Sequence, residues 1–193
     1  VAVDVSGSMG HQVNGQNVNG GLTCSQVASL LAAAIYKKNP NTRVLTFATN
    51  TNEYTQSMNS RDSMWTNIQR IKFTVGGTDC SSPLKYVVDN NIKCDLMIVL
   101  SDNESWKDYQ PGRGATGMQL AWTRLKRDNP TARLVNIDLT PSPTTQVPEN
   151  SQDTLFMAGF TDNLFPLMEK WLKDKNHTFI KDVMETYKSL TSQ

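Results

Sequence analysis

The sequence predicts a doubly wound α/β domain, a mostly parallel central sheet with helices on both faces. Short apolar runs bounded by turn residues recur along the chain, segments with apolar residues at helical spacing separate them, and polar oxygen-bearing residues gather where the runs stop. Strands that alternate with helices of about 10–15 residues need crossover connections, and crossovers produce parallel sheets covered on both faces. In such folds functional residues collect in loops at the carboxyl ends of the strands.

The strand runs are 1–5, 43–48, 95–100, 132–139 and 154–158. The first helix is expected over 25–38, where Val27, Leu30, Leu31, Ala34 and Ile35 repeat at helical spacing before Asn39-Pro40 stops it. A short second helix is expected over 64–71. A third begins at Ser82-Pro83, with Ser82 suited to the cap and Pro83 to the first helical position, and runs to Asn90. A fourth spans 116–127, and a fifth 162–172 with Asp162 or Thr161 as its cap. Residues 173–193 form a helix-compatible tail, and the prolines at 141, 143 and 148 mark a loop.

A chain of 193 residues suits one domain, 1–193, with a core over 1–172. It opens in a strand without Met, which points to the C-terminal part of a longer protein. No stretch reaches the roughly 18 apolar residues of a membrane span. Nineteen basic and 18 acidic residues leave a formal charge of +1, so no global field announces a polyanion partner. Cys24, Cys80 and Cys94 are an odd set without metal-ligand spacing, which favours a reducing, cytoplasmic setting over a disulfide framework or a zinc site. His11 and His177 have no ligand-spaced partner, and the tryptophans 65, 106, 122 and 171 are expected mainly in or beside the core. The basic group Arg113, Arg124, Lys126, Arg127 and Arg133 is expected as a solvated face.

The first strand ends in Asp4, Ser6 and Ser8, one carboxylate and two hydroxyls within five residues. Such donors suit a small hard cation, although the same pattern also makes an Asx or Ser turn. Thr78 and Asp79 follow a Gly76-Gly77 corner, and Asp102, Asn103 and Glu104 follow the apolar run 95–100. The fold brings all three stretches to one sheet edge, where Asp4, Ser6, Ser8, Thr78 and Asp102 can surround one point. Asp79 is placed to satisfy free amides at the next helix start, with an outer-shell role as the alternative. Asn103 and Glu104 stand beside the site as second-shell or partner-contact candidates; a solvated acid is the plainer role for Glu104.

This three-part pattern resembles the metal-ion-dependent adhesion site of von Willebrand factor A domains. DVSGSM, FATN, GGTDCSSP, IVLSDNES and AGF further resemble the A domain of Ro autoantigen (TROVE) proteins, over residues 1 to about 172. The resemblance implies that Asp4, Ser6, Ser8, Thr78 and Asp102 hold Mg²⁺ or Mn²⁺, some through water. It also implies an upstream helical-repeat ring that binds small noncoding Y-type RNAs and misfolded RNAs. The domain is expected to bind and not to act as an enzyme, since no general base accompanies the donors. An intracellular interaction domain whose Mg²⁺ takes an acidic protein ligand is the alternative, and a metal-dependent phosphotransferase or nuclease is a third.

Overall fold

The structure is a computed structural model that describes residues 1–13, 21–74, 76–102, 117–140, 152–174, and 178, 179, 183 and 185. It divides into two compact units, Val1–Phe160 and Thr161–Gln193.

The first unit holds six strands: β1 (Ala2–Asp4), β2 (Leu45–Phe47), β3 (Thr51–Glu53), β4 (Leu96–Ser101), β5 (Arg133–Asp138) and β6 (Thr154–Ala158). They lie in the order β3-β2-β1-β4-β5-β6. Every pairing is parallel except β2 with β3. β1 is central, and all three of its residues are buried. This explains why it reads as a nearly unbroken apolar run: both of its faces are covered. The doubly wound expectation holds, with one strand added. Thr51-Asn52-Glu53 is a polar hairpin partner of β2 at the sheet edge, where pairing requires no apolar face.

The unit's helices are α1 (Cys24–Lys38), α2 (Met64–Arg70), α3 (Ser82–Asp89) and α4 (Gly117–Asp128). Leu84 and Val87 of α3 and Met118, Ala121, Trp122 and Leu125 of α4 pack with Ala2, Leu45, Phe47, Met97, Val99 and Leu134 in one core. Side chains alternate across a strand, so this core occupies one sheet face and Val3, Ile98 and Leu100 point to the other. That second face receives α1, which contacts β1 and β4 and packs on α2.

Two helix caps differ from expectation. The α3 N-cap is Ser81, not Ser82; Ser82 and Pro83 fill the first two helical positions, where an absent proline N–H costs nothing. In the second unit, α5 (Leu164–Lys173) has Asn163 as its N-cap, and Thr161 contributes its backbone carbonyl to the Leu164 amide. After α3 the chain turns through Asn91 at φ 51°, a left-handed conformation that asparagine tolerates. Trp122 and Trp171 are buried, whereas Trp65 is 67% exposed, against the core or half-buried position expected for it. Arg124 and Arg127 are exposed, while Lys126 reaches Asp153 at 2.8 Å and the Ala132 carbonyl at 3.1 Å. Trp106, Arg113, His177 and most of the expected tail helix lie outside the described residues.

Candidate metal site at the carboxyl edge of the sheet

Asp4 ends β1 with no exposed surface. Its Oδ1 accepts the Ser6 amide at 2.9 Å, the local bond by which an aspartate turns the chain out of a strand. Residues Gly7–Gly10 then form a single 3-10 turn, with the Met9 amide on the Ser6 carbonyl and the His11 amide on the Ser8 carbonyl. This curl brings the Ser6 and Ser8 hydroxyls within 3.1 Å of each other. Ser6 is buried and Ser8 half-buried, so the pair opens toward solvent on the Ser8 side.

The neighbouring strand supplies the next groups. Ser101, the last residue of β4, donates its hydroxyl to Asp4 Oδ2 at 2.7 Å. Asp102 follows it and is also buried. Thr78 is buried in the loop between α2 and α3. That loop is tied to the end of β1 by the Thr74 amide on the Val5 carbonyl, and beyond the end of β2 by the Asp79 amide on the Ala48 carbonyl, both at 2.8 Å. All five expected donors therefore sit at one edge. The side chains of Asp79 are spent locally: Oδ1 accepts the Ser81 amide at 2.9 Å and its hydroxyl, and Oδ2 faces Lys85 at 3.4 Å. Asn103 and Glu104 lie outside the described residues.

Burial pushes the Asp4 carboxyl up to about 6, against the pull of its bonds to Ser6 and Ser101, and the charge of Asp102 adds to the rise. Two buried acids that repel each other, beside two hydroxyls held in contact, form a set of hard oxygen donors. Such a set fits a small divalent cation, whose charge offsets both the desolvation and the repulsion.

Reading the motifs alone misses three neighbours. Ser101 bonds Asp4 directly. Asp138, the last residue of β5, is paired in register with Ser101 and is fully buried. The Cys24 thiol, at the first turn of α1, lies 3.3 Å from the Thr140 hydroxyl. The signal for Asp138 was present, an acid closing an apolar strand, but its neighbours follow only from strand order.

A parallel sheet in this order, with its oxygen donors at the carboxyl edge beside the central strand, defines a von Willebrand factor A-type domain. The chain belongs to the Ro60 vWA domain family, which it matches over residues 1–172. It is 28% identical over 109 residues to the RNA-binding protein RO60 of Deinococcus radiodurans, covering 55% of this chain and 19% of that protein. With the RNA-binding protein RO60 of Caenorhabditis elegans it shares 26% identity over 107 residues, 55% of this chain and 16% of the relative. The crystal structure of the Deinococcus radiodurans RO (RSR) protein superposes with a TM-score of 0.69 at 24% sequence identity, over 88% of this chain and 33% of that one. That likeness is one of fold, and the chain spans less than a fifth of the length of both sequence relatives.

Proposed function

We propose that this chain is the metal-binding A domain of a Ro-type RNA-binding protein, a module that binds and does not turn over substrate. The observation that carries the reading is the Asp4 loop, in which a buried carboxylate and two touching hydroxyls stand one strand from Asp102. Asp4, Ser6, Ser8, Thr78 and Asp102 would hold one Mg²⁺ or Mn²⁺, and the ion would supply a Lewis-acidic position for an oxygen ligand from outside. Asp4 fixes the loop through the Ser6 amide, and Ser101 orients the second Asp4 oxygen. Contacts to small noncoding and misfolded RNAs belong mainly to a helical-repeat ring elsewhere in the full-length, cytoplasmic protein. The balanced charge of +1 supports that division.

The test is a thermal melt in chelator and in excess Mg²⁺. A cation at about a hundred times its dissociation constant stabilises by about 2.7 kcal/mol, or roughly 5–10 °C for a chain of this size. The wild type is expected to show that rise, and Asp4→Ala and Asp102→Ala to lose it. A wild type indifferent to both Mg²⁺ and Mn²⁺ would remove the metal assignment.

A further inference from the structure

Trp65 is the most exposed large apolar side chain among the described residues, 67% open to solvent on the first turn of α2. The helix faces inward through Asn67, and Ile71 just past its end is buried as well. Two residues are about 200° around an α-helix, so Trp65 stands roughly opposite Asn67 and away from the core. Phe73, 39% exposed, follows the helix.

The backbone under both rings is held at several points. Asn67 Oδ1 accepts the Asn59 amide at 2.9 Å and its Nδ2 donates to the Asn59 carbonyl at 2.8 Å, which clamps the approach to the helix. Ser63 caps α2 by accepting the Thr66 amide at 3.0 Å. Beyond the helix, Thr74 gives its amide and its hydroxyl to the Val5 carbonyl, at 2.8 and 3.3 Å. A ligand that stacks on these rings therefore loses little to ordering the protein.

The same stretch is basic. From Asn59 to Thr74 it carries Arg61, Arg70 and Lys72 against one acid, Asp62, and Arg70 takes that acid at 2.6 Å. Arg61 and Lys72 are exposed, and among the described residues no acid pairs with either. Rings and cations thus alternate along one pinned segment, in the order Arg61, Trp65, Lys72, Phe73. A single-stranded nucleic acid has the matching alternation, flat bases joined by anionic links. A protein partner would call for a contiguous apolar core around its anchor. Here, apart from Met64, the exposed neighbours are Ser63, Thr66, Gln69 and Thr74.

Resting on the RNA reading above, we infer that residues 61–73 form a subsite for single-stranded RNA, in which Trp65 and Phe73 stack bases while Arg61 and Lys72 meet phosphates. The subsite tolerates any sequence, because every base offers a ring face. Two rings and two cations make a weak hold, which adds to contacts elsewhere in the full-length protein.

The test is fluorescence anisotropy of a labelled RNA decamer at low salt in chelator, beside the same sequence as a duplex. Trp65→Ala is expected to bind the single strand about tenfold more weakly than wild type, and Trp65→Phe, which keeps a ring, to recover most of that loss. Duplex binding is expected to stay unchanged in both. Arg61→Ala and Lys72→Ala are each expected to flatten the dependence of log K on log salt by about 0.7. Trp65→Ala is also expected to keep the Mg²⁺-dependent rise in melting, which shows that it folds. Single-strand affinity indifferent to Trp65→Ala, the result expected of a surface that meets a protein, overturns the inference. An equal loss on the duplex, a phenylalanine variant as weak as the alanine one, or a wild type that binds no single strand also overturns it. All four leave the metal reading standing, since that reading falls on the melts alone.

Discussion

In the metal-free chain Asp4 binds its proton more readily when folded than when unfolded, since burial lifts its carboxyl from 3.8 to about 6. A value raised in the folded state contributes stability that is fully present below about pH 4 and is lost as the pH rises through about 6. The difference corresponds to on the order of 3 kcal/mol. Asp4→Asn keeps an acceptor for the Ser6 amide and carries no charge. In chelator at pH 7 it is therefore expected to melt several degrees above the wild type, with the advantage gone at pH 4. Melts across pH 4–8 measure this; equal melting at pH 7 would mean that Asp4 bears no such cost. On the proposed metal reading a cation would take the place of the proton, so the Mg²⁺-dependent rise in wild type is expected to grow over the same interval. The contact of Asp4, Ser6 and Ser8, the proposed donors, was legible in the sequence because they are near neighbours and their alternation is local. Ser101 and Asp138 were not, because each becomes a neighbour of the site only through the register of β4 with β1 and β5.

The elements carry the site by holding strand ends and loop starts in place. At the start of α1, the Thr23 hydroxyl accepts the Gln26 amide and Gln26 Oε1 accepts the Thr23 amide at 3.0 Å, a reciprocal cap that satisfies two free donors. The next residue, Cys24, gives its amide to the His11 carbonyl at 2.8 Å, so the cap also anchors the chain beyond Ser8. Thr23→Ala is expected to cost about 1 kcal/mol in urea unfolding. In the opposite core, Leu84 of α3 is fully buried, and Leu84→Ala is expected to lower stability by about 2–5 kcal/mol through the cavity it leaves. A lower urea midpoint with an unchanged slope would show it; a loss below 1 kcal/mol would contradict this packing. The five main strands and five helices were legible because burial on both sheet faces and helical spacing both leave apolar patterns. The polar strand β3 leaves none, since Asn52 is exposed and the strand pairs on one side only. The α3 cap shifted by one residue because Ser81 and Ser82 are equally suited locally, and the bond the Ser81 amide donates to Asp79 Oδ1 breaks the tie.

Across the whole chain, 19 basic residues balance 18 acidic ones, and the candidate site is a set of acids and hydroxyls. Affinity for nucleic acid rests first on neutralising phosphates, and this balance offers little for that purpose. Among the described residues Trp65 on α2 and Phe73 after it are exposed aromatics that could stack bases, but stacking adds only about 1–3 kcal/mol per base. The chain by itself is therefore expected to bind single-stranded RNA no more tightly than nonspecific contacts allow, roughly 10⁻⁴ to 10⁻⁶ M at physiological salt, and to weaken further as salt rises. Fluorescence anisotropy of a labelled oligonucleotide, with and without Mg²⁺, measures it. Nanomolar binding by the chain alone would place principal RNA contacts in this domain and end the division of labour with a ring. Weak binding that Trp65→Ala and Phe73→Ala leave unchanged would show that even the residual affinity is electrostatic and not a matter of stacking.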